Sequence, residues 1–135
     1  MPRSNTLGRV TERIRLTNVF ESGRSVEIDA LVDTGATMLA LPQNIVDELN
    51  LRKMREVPVR YANNTRETRP VYGLVTVEIR GRSGEFNVLG QPVGSQPLIG
   101  QVVLEQLDFL VDPGREELVP RFPEGPVIDL LLQTT

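Results

Sequence analysis

Residues 30–37 read Ala30-Leu31-Val32-Asp33-Thr34-Gly35-Ala36-Thr37, an apolar run that ends in a carboxylate, a hydroxyl and a glycine. Upstream, Val26, Ile28, Ala30 and Val32 alternate with Glu27 and Asp29, the period-two pattern of a strand with one buried face. Asp33 is therefore delivered at a strand end. Beyond it, glycine permits a tight backbone path, the following N–H groups can bond the carboxylate, and the Thr34 hydroxyl can lock the turn. An isolated Asp-Thr-Gly is most simply an aspartate capping a turn, so the rest of the chain has to decide between capping and chemistry.

Working outward, Val10, Ile14 and Leu16 share one parity while Arg13 and Arg15 take the other, which predicts a strand in which Glu12 is the one misfit. Glu21-Ser22-Gly23-Arg24 carries turn chemistry, so a hairpin is expected to lead into Asp33. After the motif, Leu41-Pro42-Gln43-Asn44-Ile45-Val46-Asp47-Glu48-Leu49-Asn50-Leu51 predicts one short helix, with Pro42 in its first turn and Ile45 and Leu49 one turn apart. Val57 to Tyr61 and Arg66 to Ile79 predict a long hairpin, tight and polar at Ala62-Asn63-Asn64-Thr65. A strand from Glu85 to Leu89 leads through a Gly/Pro-rich loop to Pro97-Leu98-Ile99-Gly100 and a helix-length piece from Val102 to Leu107. A last hairpin joins Phe109–Val111 to Glu117–Val119 through Asp112-Pro113-Gly114-Arg115. The apolar run Val127 to Leu132 is expected to pack on the domain or on a partner subunit.

Length and composition bound the function. The 135 residues fit a single domain, 1–135, with a core over about 10–120 and an extension over 121–135. Ten prolines and eleven glycines favour turns over long helices, hence an all-β fold. The net charge is −3, and no basic block interleaves with aromatics, so no nucleic-acid partner is expected. The chain has no cysteine, which removes thiolate chemistry and disulfides. It has no histidine either, which removes the usual base for serine and cysteine nucleophiles and the commonest transition-metal ligand. If the protein is an enzyme, carboxylates do the work. No apolar stretch reaches the length of a signal core or a membrane span, so a cytoplasmic protein with no membrane partner is expected.

With these residues in view, the chain resembles the retropepsin and pepsin clan of aspartic proteases, and most closely its single-motif, prokaryotic type. Residues 30–37 look like the clan's catalytic signature, Leu98-Ile99-Gly100 like its second element, and the hairpin around Asn63-Asn64 stands where the family has its substrate-covering flap. The likeness spans roughly residues 10 to 120. It implies a closed, barrel-like β-fold with one or two short helices, and a homodimer, because the motif occurs once per chain and two are needed. It also implies Asp33 as the catalytic carboxylate, supported by Thr34, Gly35 and Ala36, with Leu98, Ile99 and Gly100 as the supporting second motif. Tyr61, Asn63 and Asn64 would belong to the flap. The implied substrate is a peptide or unfolded protein, and neither metal nor cofactor is called for. Two positions depart from many viral members: Thr37 and Gln101 stand where those carry an aspartate and an arginine.

An aspartic endopeptidase is thus the leading expectation. The alternative is a catalytically silent dimeric peptide-binding or scaffold module of the same fold, while a two-carboxylate glycosidase lacks a second acidic motif beside Asp33. Asp29, Asp47 and Asp108 read as solvated or capping groups, and Asp112 as a turn residue. Tyr61 and Tyr72 fit ordinary cross-strand packing equally well. Arg60, Arg66 and Arg69 fit a solvated face as well as a preference for acidic substrates.

Overall fold

In β1 (Val10–Asn18) every second residue is buried, so the strand follows its sequence parity without a break. Glu12 lies on the inward parity and is buried, and the Arg80 guanidinium meets it with an Nε–Oε1 distance of 3.0 Å. An inward carboxylate is tolerable on these terms, because pairing offsets the cost of removing its charge from water. The computed structural model from which this geometry is taken describes residues 9–131.

Along the chain β1 is followed by β2 (Glu21–Val32), β3 (Leu39–Pro42), α1 (Gln43–Glu48), β4 (Arg52–Arg60), β5 (Arg66–Ile79) and β6 (Arg82–Gln91). β7 (Leu98–Ile99), α2 (Gln101–Leu107), β8 (Phe109–Asp112) and β9 (Glu117–Pro120) complete the order. The main sheet runs β1-β2-β7-β3-β6-β5-β4, and β1 also pairs with β5. Six strands therefore close on themselves, leaving β4 on the outer side of β5. This is the closed, mostly β architecture expected from the sequence. β8 and β9 form a separate two-stranded sheet.

Inside the ring, Ile14, Leu16, Leu39, Leu41, Val75 and Ile99 are essentially inaccessible. Burying each such side chain is worth about 1.5–3 kcal/mol, so the ring itself is the main source of stability. On the outside of β1 and β2, Arg13–Asp29 and Arg15–Glu27 are cross-strand ion pairs. Their exposure limits each to below about 1 kcal/mol.

Three local expectations are corrected. The first reversal falls at Val19-Phe20, not at Glu21–Arg24, because buried Asn18 accepts the Phe20 N–H through Oδ1 and forms its own turn. Residues 22–24 instead form extra length in β2, where the register slips between Thr17 and Asn18. β4 begins at Arg52, five residues before the expected Val57, since pairing with β5 from Arg52↔Gly73 onward holds a segment whose exposed, charged side chains show no alternation. Pro42 closes the short strand β3 with φ −67° and ψ 152° and caps α1 rather than entering it.

The C-terminal segment is held by polar contacts. Buried Arg82 donates Nη1 to the carbonyls of Leu107 and Asp108 and Nη2 to that of Phe122, while its guanidinium lies over the Phe109 ring. Of the two readings the sequence allowed for Asp108, solvated or capping, only the second holds, because Asp108 is the C-cap residue of α2. It is buried, takes Arg121 Nε at 2.7 Å and accepts the Val127 N–H at 2.9 Å. Burial raises the Asp108 pKa, but the Val127 and Arg121 hydrogen bonds and the Arg121 and Arg82 charges outweigh it and hold the carboxyl below its ordinary range. Ile128, Leu130 and Leu131 remain exposed, so among the described residues the apolar run finds no cover; Leu132 lies outside the described residues. Among the described residues no helix is long and apolar enough to cross a membrane.

Candidate active site

The chain leaves β2 at Val32, runs through residues 33–38 and returns as β3, and the two-residue strand β7 lies between these arms. β7 pairs parallel with β2 through Leu31↔Leu98 and Val32↔Ile99, and antiparallel with β3 through Ala40↔Leu98. The two sequence motifs are thereby neighbours. The Asp33 N–H donates to the Ile99 carbonyl at 3.0 Å and the Leu31 N–H to that of Pro97 at 2.9 Å, which fixes the strand end.

Within the loop, the Ala36 N–H donates to the Asp33 carbonyl at 3.0 Å, closing a tight turn. The Gly35 N–H donates to Asp33 Oδ1 at 2.9 Å and orients the half-buried carboxylate. A hydrogen bond of this kind restricts the rotamers of its acceptor. Gly35 also keeps the space clear, since a Cβ there would stand 3.2 Å from Asp33 Oδ1.

α2 anchors the far side of the loop. Its first two N–H groups, on Gln101 and Val102, have no partner within the helix and instead donate to the carbonyls of Ala36 and Thr37 at 2.8 and 3.0 Å. The Gln101 side chain adds a bond from Nε2 to the Thr34 carbonyl at 3.0 Å. Gln101 appeared in the sequence only as a departure from the family pattern, yet its amide ties helix to loop without a charge. Gly100 must approach this backbone closely: a Cβ on it would lie 2.5 Å from the Met38 carbonyl oxygen and 2.8 Å from that of Ala36.

Asp33, Gly35 and Ala36 line a cleft of about 860 Å³ whose opposite wall is the end of the β4–β5 hairpin, with Tyr61, Ala62 and Asn64. Leu98 lines it too. Asn63, expected beside Asn64, does not: its Oδ1 accepts from the Thr65 N–H and hydroxyl and so braces the turn. Thr34 is exposed at the rim of the loop and is not part of the lining, and Ile99 and Gly100 are buried beneath it. The Tyr61 hydroxyl reaches Glu67 Oε1 at 3.0 Å and Gln91 Oε1 at 3.4 Å, so it can donate to either the hairpin or the body.

Arg60, which the sequence offered for acidic substrates, also lines the cleft, but the cleft's apolar wall was not named from sequence. Met38, Ala40, Val57, Val59 and Leu89 form an apolar wall that continues into a small second core around Val71. Met38 ends the Asp33 loop and the others come from β3, β4 and β6, and only the closure of the sheet brings them together. Asp33 is the one carboxylate among the lining residues.

A comparison with models of known families matches residues 22–106 to one described as gag-polyprotein putative aspartyl protease. The matched span holds the Asp33 loop, the β4–β5 hairpin and the Leu98-Ile99-Gly100 element. No curated protein matches the chain.

Proposed function

The chain belongs to the gag-polyprotein aspartyl protease family, a retropepsin-like group, and from that membership we propose that it is an endopeptidase whose active site combines Asp33 from two identical subunits. The observation that carries this proposal is the cleft itself. Its lining combines one carboxylate, oriented by a backbone N–H, with the tip of a hairpin, and among the described residues it holds no second acid to complete the chemistry. A second copy related by a twofold axis supplies the missing group.

Facing carboxylates do not both ionise, so the pair holds one proton. The ionised Asp33 takes a proton from a water molecule, whose oxygen attacks the scissile carbonyl. The partner subunit's Asp33, protonated, passes its proton to the carbonyl oxygen, which becomes the second hydroxyl of a tetrahedral diol. As the diol collapses, the C–N bond breaks, the first Asp33 gives its newly gained proton to the leaving nitrogen, and the partner subunit's Asp33 takes back a hydroxyl proton as the carboxyl product forms. Asp33 side chains perform every proton transfer, which accords with a chain that has neither histidine nor cysteine. The exposed Thr34 lies where two loops would meet, and an extended substrate would lie as a strand between hairpin and loop.

The test is cleavage of an unfolded protein by wild type and Asp33→Asn, from acid to neutral pH and over a range of enzyme concentrations. Cleavage by wild type alone, with specific activity rising as subunits associate, is expected. Equal cleavage by Asp33→Asn, or none from a folded dimer, refutes the mechanism and leaves a peptide-binding module.

A further inference from the structure

The β4–β5 hairpin that walls the cleft has a charge opposite to the rest of the chain. Between Arg52 and Arg69 there are six basic residues and two acidic ones, a surplus of four positive charges in a chain of net charge −3, so the remainder carries seven negative charges. At the hairpin's end, Arg60 is paired directly across from Arg66. Like charges in directly opposed positions destabilise a strand pair, since their side chains leave the sheet about 5 Å apart on the same face.

Among the described residues nothing relieves this repulsion. Neither Arg60 nor Arg66 takes part in any ion pair among the described residues, although most other exposed arginines do. The neighbouring acid, Glu67, sits opposite Val59 and is engaged by the Tyr61 hydroxyl. Arg69, the third arginine here, is half-buried and donates Nε to the Gly90 carbonyl. Arg60 itself lines the cleft, next to the apolar wall formed by Val57, Val59, Met38 and Leu98. The cleft thus offers an apolar surface beside Asp33 and one guanidinium group, that of Arg60, among its lining residues, with Arg66 directly across the hairpin from it and neither in an ion pair among the described residues.

From this arrangement we propose that Arg60 and Arg66 recognise acidic side chains, so that the preferred ligand is an extended polypeptide with apolar residues at its centre and Asp or Glu in a flank. The proposal names a substrate class for the same cleft and rests on that cleft being the substrate site. Binding the acidic flank relieves the Arg60–Arg66 repulsion, an attraction absent when a neutral chain binds. Guanidinium groups suit this role because they present paired N–H donors to a carboxylate. Exposure keeps the effect modest and makes it sensitive to salt.

The test separates binding from cleavage. Anisotropy titrations with Asp33→Asn use three labelled peptides that share an apolar centre and differ only in flanks of Glu, Gln or Lys, and wild type is assayed for cleavage of the same three. Binding about fivefold to tenfold tighter for the Glu peptide than for the Gln peptide at low salt is expected, falling to within about twofold in 0.5 M NaCl. The Arg60→Gln/Arg66→Gln variant of the same background should lose the preference, while Arg24→Gln/Arg115→Gln, with the same change in net charge, should keep it. Equal binding of the Glu and Gln peptides, or a preference that survives in Arg60→Gln/Arg66→Gln, overturns the proposal. Tighter binding of a single-stranded oligonucleotide than of the Glu peptide also overturns it. Preferential binding with no cleavage by wild type would instead refute the endopeptidase while leaving acidic recognition standing, and cleavage of all three peptides at one rate would do the reverse.

Discussion

Gly100 lies so close to the chain at Met38 that a methyl group on its Cα would stand 2.5 Å from the Met38 carbonyl oxygen. The obstacle is backbone, held by the Gln101 and Val102 hydrogen bonds, and cannot rotate away as a side chain would. Gly100→Ala must therefore push the Asp33 loop off α2. A loss of about 2–4 kcal/mol in chemical denaturation is expected, at the upper end of overpacking costs. Gly23→Ala, where nothing lies within 4 Å of the added Cβ, is the control and should change stability by less than about 0.5 kcal/mol. Equal stability of the two variants would mean that the motifs do not interlock as described.

Gly35 makes a subtler demand. Its Cβ would meet Asp33 Oδ1 at 3.2 Å, tight enough to displace the carboxylate but not to unfold the loop. Gly35→Ala should lower kcat about tenfold or more with a melting temperature within about 2 °C of wild type, because small misplacements of a reacting group are costly. Parallel losses of kcat and stability would show that the glycine serves the fold alone.

The Asp33 loop was legible in the sequence because its determinants are local: an alternating strand, one carboxylate and a glycine within the ten residues 26–35. β5 was equally plain, with observed bounds of Arg66–Ile79 matching the expected ones, since Val71, Val75, Val77 and Ile79 keep strict parity through a long strand. The first half of β4 was hidden because it is held by pairing rather than by any buried face. The cleft wall was hidden for another reason. Met38, Val59 and Leu89 are distant in sequence and meet only through the β3–β6 and β4–β5 registers. The burial of Asp108 was not legible because its partners, Arg121 and Val127, are 13 and 19 residues away and no periodicity links them.

The misfit in β1 gives a third prediction. Glu12 is buried while its partner Arg80 remains about half exposed, and the pairing raises the Arg80 pKa through the Glu12 hydrogen bond. Arg80→Met keeps a non-glycine residue at φ 50° and so leaves backbone strain unchanged, but strips the buried carboxylate of its cation. A cost of about 1–3 kcal/mol is expected, below that of a fully buried pair because water reaches one partner. Adding Glu12→Leu should recover most of it, since an apolar residue suits that inward position. If the double variant is no more stable than Arg80→Met, the carboxylate is not the source of the cost.

The last prediction concerns acid. Asp108 is faced by Arg121, Arg82 and the Val127 N–H, and its carboxyl is held below the ordinary range, so the folded protein binds its proton less readily than the unfolded chain. A depressed folded pKa contributes stability that is present in full above the unfolded value of about 4 and disappears as pH falls through the folded value. Asp108→Asn isolates this contribution, because asparagine also tolerates the left-handed backbone found here, φ 64°. The stability difference between wild type and Asp108→Asn should therefore be constant from about pH 8 down to pH 5 and shrink below about pH 4. In the Arg121→Gln background, which lacks one source of the depression, the same Asp108→Asn substitution should make a smaller difference, and that difference should vanish at a higher pH than in the wild-type background. A wild-type minus Asp108→Asn difference that grows as pH falls would reverse the sign and show that burial, not the cations, governs this carboxyl.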